Sequence, residues 1–402
     1  MWPWRFVEAT TVFKSYSLIY LDNSATTQID LEVIEAMEPY LHEGYGNASS
    51  VHELGRKSRV ALENAREIVA KFIGADTREL VFTSSGTEAN NAAIKGPIFQ
   101  QRLVGKPFDQ LSIVTSPVEH EAVLQPAKFL ESLGVRLSLV KMDEGGRVGL
   151  SGVGECLTSD TTLLSLMLVN NEVGAINDIA MITRQAIATA PQILIHTDAV
   201  QALGKIPIDV RQLGAHFASF SAHKIHGPKG IGALYVKSGT KSEPLVHGGA
   251  QERNRRGGTE SVALAVGFAK AVELAEKRMA QDNLRVELLG RRLRNTLEAI
   301  PDIVINSPSE QWLPWILNFS FAPELLARID GEALLIRFDL EGVAVSNGSA
   351  CTSGTMQPSH VLLAMGKGSQ VASKSIRVSL SHHTTEIEIE QFIDTLVRLM
   401  PR

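Results

Sequence analysis

This chain of 402 residues is short of cysteine, of long apolar runs and of net charge, and each shortage excludes something. Two cysteines, Cys156 and Cys351, cannot make a disulfide framework, so a reducing cytoplasm is the expected compartment. No apolar run is long enough to cross a bilayer, so no membrane partner is expected. The start of the chain lacks a basic region followed by an unbroken apolar core, and Glu8 and Lys14 interrupt it further, so no secretory signal is expected. A net charge of −5 offers no basic footprint for nucleic acid. The Lys-Ser/Thr of a P-loop and the three-glycine dinucleotide fingerprint are both missing. Histidines are scattered and there is no Cys-x-x-Cys pair, so no metal centre is expected.

What is present is an ordinary globular composition, 44% apolar and 21% charged, in a chain long enough for two domains. Short, nearly continuous apolar runs at 80–83, 112–115, 163–169, 193–195 and 217–221 read as strands covered on both faces. Amphipathic stretches lie between them. One of these spans 55–74, with Gly74 as its C-terminal cap. After about residue 260 the pattern changes. Two long helices are expected at 261–279 and 283–300, then strands at 316–321, 343–345 and 376–380. A last helix at 386–400 opens on a capping box of Thr385 and Glu388. The expected architecture is an α/β domain with a mostly parallel sheet, followed by a smaller α+β domain.

Several of these strands end in reactive residues. Lys224 follows the run 217–221, between His223 and a Gly-Pro-Lys-Gly turn, and Asp198 ends the run that begins at 193. A lysine and an acid at separate strand ends suit pyridoxal 5'-phosphate: the amine bonds the aldehyde, and the carboxylate keeps the pyridine nitrogen protonated. The Gly86-Thr87 turn is either a phosphate cradle at a helix N-terminus or a plain Ser/Thr cap. His120 is either a ring-stacking proton carrier or a structural histidine. Asn171 lies in a turn that could hydrogen-bond a ring oxygen, or that only turns the chain. Arg377, on a strand, suits a substrate carboxylate or a structural ion pair equally. The basic cluster 253–259 is a solvated loop or a source of phosphate contacts. Cys351 sits among Ser, Thr, Ala and Gly, a setting for an exposed nucleophile, whereas Cys156 reads as structural or incidental.

Together, these residues resemble the cysteine desulfurases of the NifS/IscS type, in the class V aminotransferase branch of fold-type I pyridoxal-phosphate enzymes. The resemblance runs from Leu21-Asp22-Asn23-Ser24-Ala25-Thr26-Thr27 to the last helix. It includes Gly46-Asn47-Ala48-Ser49-Ser50-Val51-His52, Thr197-Asp198-Ala199-Val200-Gln201 and Gly248-Gly249-Ala250-Gln251-Glu252-Arg253. It implies a large cofactor domain at 25–264 built on a mostly parallel seven-stranded sheet. It also implies a small domain at 1–24 and 265–402 that carries the catalytic cysteine loop. Lys224 would be the cofactor lysine. Gly86, Thr87, Asn171, Asp198, Gln201, Ser221 and His223 would hold the cofactor, with His120 stacked on its ring. Thr259 would reach the phosphate held by a partner subunit of a homodimer. Arg377, with Asn171, would hold the L-cysteine substrate, and Cys351 would accept its sulfur for delivery to an acceptor protein. The acceptor pathway stays open among iron–sulfur cluster assembly, tRNA thiolation and DNA phosphorothioation. A selenocysteine lyase or an aminotransferase is the alternative enzyme, and a silent scaffold the alternative of another class.

Overall fold

The computed structural model describes residues 18–348 and 357–401. The first strand, β1 (Ile19–Tyr20), is two residues long and pairs near the far end of the chain. Six further strands share one direction or its reverse in the central sheet: β2 (Leu80–Thr83), β3 (Ser112–Thr115), β4 (Arg136–Leu139), β5 (Leu163–Ser165), β6 (Leu194–Asp198) and β7 (Phe217–Ser221). β8 (Gly232–Val236) completes this seven-stranded sheet, in the order β2-β8-β7-β6-β5-β3-β4. β8 runs antiparallel to both its neighbours and every other pairing is parallel. β2 to β7 therefore all point the same way, as expected for a mostly parallel α/β sheet. Every residue of β2, β3, β5, β7 and β8 is buried, which explains their unbroken apolar character.

The turn-forming glycines follow from geometry. Gly74 adopts φ +73 just past the helix Glu53–Phe72, where its N–H reaches the Lys71 carbonyl, so the expected cap is present. Gly232 is needed for a different reason: a Cβ there would stand 2.5 Å from the Ser85 carbonyl carbon. That contact lets β8 press against the Ser85-Gly86 turn.

Two expectations change. The strand expected at 163–169 ends at Ser165, although the Leu166 and Leu168 N–H groups still donate to the His196 and Asp198 carbonyls of β6. The helices expected at 261–279 and 283–300 are one helix, Val262–Glu298. No glycine or proline separates them, so nothing breaks the backbone pattern. Its buried apolar residues stop at Leu274 and resume at Val286, and the turns between pack through polar side chains, Arg278 on Asp30 and Arg285 on the Thr384 carbonyl. β4, β8 and a strand at Ile303–Ile305 escaped the sequence reading. β4 is an edge strand without a continuous apolar run, and β8 starts on a glycine.

Beyond the long helix, β9 (Ile303–Ile305), β10 (Ile316–Phe321) and β12 (Ile376–Ser379) form an antiparallel sheet, between whose members β11 (Val343–Ala344) pairs with β1. The helices Gly331–Leu340 and Glu386–Leu399 cover this part, with Phe338 and Phe392 stacked at 5.7 Å. The Thr385–Glu388 capping box is present, each residue bonding the other's backbone N–H. Among the described residues no helix is long and apolar enough to cross a membrane.

Candidate active site

Because β2, β3, β5, β6 and β7 are co-directional, their ends Thr83, Thr115, Ser165, Asp198 and Ser221 fall on one edge of the sheet. Ligands of open α/β sheets bind at this edge. Asp198 closes β6 and is buried. Its Oδ2 accepts from Asn90 Nδ2 at 2.7 Å and its Oδ1 from the Val200 N–H at 2.9 Å. Asn90 lies one helical turn after Gly86 on the helix Gly86–Leu103, and that spacing is the signal that could have identified it.

Lys224 leaves β7 through the turn Ala222–Lys224. Its Nζ donates to the Ser24 carbonyl and, at 2.7 Å, to the Ala25 carbonyl. Burial lowers its pKa to about 8, with the Arg377 charge adding to the effect. His223 exchanges a 3.1 Å hydrogen bond with the Thr26 hydroxyl, and burial together with Lys224 pushes its pKa down to about 4. The segment 24–27 thus cradles the lysine turn, a contact with no local sequence signal.

His120 caps the helix Glu121–Ser132, its Nδ1 accepting from the Ala122 N–H at 3.0 Å. That bond leaves the proton of the neutral ring on Nε2. The residue opens to solvent, yet protein crowds the ring enough to lower its pKa by burial, while Asp198 opposes the shift and Lys224 adds to it. Glu119, just before it, is fully buried. It accepts from Ser116 Oγ and the Met167 N–H, and burial raises its pKa to about 8.

Gly86 and Thr87 occupy the first turn of their helix, ahead of its first i→i−4 bond, so their N–H groups point outward. Ser221 adjoins them: a Cβ on Gly86 would lie 3.4 Å from Ser221 Cβ. Glu88 sits beside this turn, held by Arg256 and accepting from the Ser84 N–H. Thr259, three residues after Arg256, is exposed, and among the described residues no hydrogen bond joins it to this turn. Gln201 is buried with its amide engaged, Nε2 on the Ser24 carbonyl and Oε1 accepting from Lys205.

Arg377, on β12, is buried across from the sheet edge. Its Nη2 donates to Asp22 Oδ1 at 2.7 Å and its Nη1 to the Asn171 carbonyl at 3.1 Å. Among the described residues the buried Nε has no partner, and neither has the buried Oδ1 of Asn171. This arginine is therefore an ion-pair partner that also keeps one buried donor without a partner among the described residues. Cys351 lies outside the described residues. The chain on either side of its segment meets Glu172: a Cβ on Gly348 would touch its carboxylate, and Ser359 Oγ donates to it. Cys156 is a partly buried free thiol whose pKa is raised by burial.

A sheet edge that gathers Lys224, Asp198 and His120, with a buried arginine opposite, defines an α/β enzyme of the fold-type I kind. The chain matches the aminotransferase class-V family over residues 19–392. It is 46% identical over 385 residues to a cysteine desulfurase IscS of Dictyoglomus turgidum, covering 96% of this chain and 95% of that protein. Among solved structures it is similar to a NifS-like protein, with a TM-score of 0.86 and 36% identity over 95% of this chain and 98% of that one. It is also similar to a structure titled SspA in complex with cysteine, with a TM-score of 0.77 and 34% identity over 91% of this chain and 99% of that one. The chain belongs to the aminotransferase class-V family, close to its cysteine desulfurases. Enzymes of this family in general depend on pyridoxal 5'-phosphate. The residues here fit that group: an acid fixed by two donors, outward N–H groups at a helix start, and the partnerless Asn171 Oδ1.

Proposed function

We propose that this protein is a cysteine desulfurase that uses pyridoxal 5'-phosphate to convert L-cysteine to L-alanine and keeps the sulfur on Cys351. The observation that carries this reading is the placement of Lys224 and Asp198 at the ends of the neighbouring parallel strands β7 and β6, with Arg377 opposite. When bound, the cofactor supplies an electron sink for the charge left by breaking the substrate Cα–H bond. Asp198, locked by Asn90 and Val200, keeps a proton on the pyridine nitrogen. The Gly86-Thr87 turn, with Ser221 and His223, would hold the phosphate, and His120, Asn171 and Gln201 would hold the ring.

Lys224 carries the Cα proton. With a pKa near 8, its amine is partly neutral at physiological pH and can act as a base. Arg377 receives the substrate carboxylate as its pairing with Asp22 loosens. The Cys351 thiolate attacks the substrate sulfur. An S–S bond forms as the Cβ–S bond breaks, the electron pair stays with Cβ, and protonation there gives alanine. The balance is L-cysteine plus thiol to L-alanine plus persulfide.

Both Gly348 and Ser359 lie against Glu172, beside Asn171, which supports a Cys351 segment that starts and finishes at the site. We assign residues 25–264 to a cofactor domain, and 1–24 with 265–402 to a smaller domain that carries this segment. The exposed Thr259 suits a homodimer in which it reaches the partner's phosphate site. A sulfur-acceptor protein completes the cycle, and the cytoplasm suits a free thiol nucleophile. The test is incubation with L-cysteine and a thiol reductant, assaying alanine and sulfide. Wild type is expected to release both. Cys351→Ser is expected to keep the yellow cofactor but form no persulfide, and full alanine production by that variant would sink the mechanism.

A further inference from the structure

Three segments distant in sequence meet behind the Lys224 turn and bring together Asp30, His226 and the adjacent pair His382-His383. One donor atom from each lies within 4.8 Å of all the others. Asp30 Oδ1 stands 3.7 Å from His382 Nε2 and 3.4 Å from His383 Nε2. Those separations are long for direct N–H···O bonds, which settle at about 2.9–3.0 Å. They approach the distance between two donor atoms held about 2.0–2.1 Å from one tetrahedral centre, roughly 3.3–3.4 Å. The imidazoles are packed together, with His226 and His382 centroids 4.2 Å apart and those of His382 and His383 3.9 Å apart.

We propose that Asp30, His226, His382 and His383 form a binding site for one divalent zinc-class cation, held by three imidazole nitrogens and a carboxylate oxygen. The surroundings are those of metal-ligating side chains. His226 Nδ1 lies 2.8 Å from the Gln28 carbonyl, so it carries the proton and leaves Nε2 free to ligate. Arg278 Nη1 donates to Asp30 Oδ2 at 3.0 Å, which orients the carboxylate and leaves Oδ1 for the cation. The same nitrogen approaches His382 Nε2 at 3.4 Å, and cation binding displaces it from that contact. The backbone of His226 is left-handed, φ 63. It is held there by the Thr27 hydroxyl, which accepts its N–H, and by the Asp30 N–H, which donates to its carbonyl.

Nitrogen-rich donors without thiolate favour zinc(II) and its neighbours over calcium or magnesium. Four protein ligands leave no open position, so the cation is structural and not catalytic. It ties together three segments that bound the active site: the 24–30 segment that cradles Lys224, the turn two residues beyond Lys224, and the chain just after the strand that bears Arg377. The expectation of no metal centre came from histidines scattered in sequence, and folding brings His226 and Asp30 to the His382-His383 pair.

The test uses full-length, cofactor-loaded protein stripped with a chelator, without cysteine. Zinc(II) is titrated against a chromogenic chelator, and cobalt(II) is read by its absorption. One equivalent of zinc per chain and intense tetrahedral cobalt bands are expected, both retained in Cys351→Ser. Both are expected to vanish in the His382→Gln, His383→Gln double variant. His383 is exposed, so His383→Ala removes a ligand without disturbing the core, and zinc affinity should fall at least about tenfold. No stoichiometric binding, or unchanged affinity in His383→Ala, would overturn the proposal. Either result leaves the desulfurase reading standing, because the readout is metal binding and not activity.

Discussion

Lys224 owes its reactivity to its surroundings. Burial and the nearby Arg377 disfavour its ammonium form and bring its pKa down to about 8, from 10.5 in water. Its aldehyde-attacking form is the neutral amine, so uptake of pyridoxal 5'-phosphate by apo-protein should quicken as pH rises through about 8. Stopped-flow absorbance between pH 6.5 and 9.5 checks this, and a rate flat across that range would contradict it. At Arg377 the test is substitution by lysine, which keeps the charge but loses the planar fork. A charge-assisted bond is worth about 1.5–3 kcal/mol, so Arg377→Lys should raise KM for L-cysteine by roughly 10- to 100-fold. The change in kcat should be smaller, and a fall in kcat with KM unchanged would remove Arg377 from substrate binding.

Among the elements, the loop that bears Thr259 is anchored by one buried pair. Arg66, on the helix Glu53–Phe72, grips Glu252 with two nitrogens, at 2.5 and 2.9 Å, and Glu252 also accepts from the Phe82 N–H within β2. Both side chains are almost fully buried, so removing one leaves the other uncompensated. Glu252→Ala should therefore lower unfolding stability by about 3–5 kcal/mol, measured by denaturant titration. A loss under about 1 kcal/mol would show that water reaches Arg66. The left-handed backbone of Glu252, Arg253 and Asn254 shows how tightly this loop is wound around the pair.

For the whole molecule, pH acts through the buried groups that must change protonation on unfolding. Glu119, with its pKa raised by burial to about 8, keeps its proton in the fold, whereas the unfolded chain releases it near 4.5. The native state then holds the extra proton between those values, so this group's contribution to stability falls as pH rises from about 4.5 to 8. Glu119→Gln mimics the protonated acid and removes that slope. The stability of wild type minus variant should decline across pH 5 to 8 and level off above, and a constant difference would refute the assignment. Lys205 acts in the opposite sense. Burial lowers it to about 7, so the unfolded chain binds the extra proton and stability rises with pH between about 7 and 10.5.

The sequence by itself determined the parallel sheet and the strand-end pair of Lys224 and Asp198. Covered strands must be unbroken apolar runs, and a charged residue placed just beyond such a run is hard to explain by packing. It also showed the Thr385–Glu388 cap and the Gly74 stop, because caps are local. Only the tertiary structure decided what Arg377 holds, since Asp22 lies 355 positions away in the chain. The same is true of the cradle that segment 24–27 makes for Lys224 and of the meeting of Asp30 with three histidines. Hydrogen bonds and ligand geometry depend on distance in space, which sequence spacing records only within a turn or two of helix or strand.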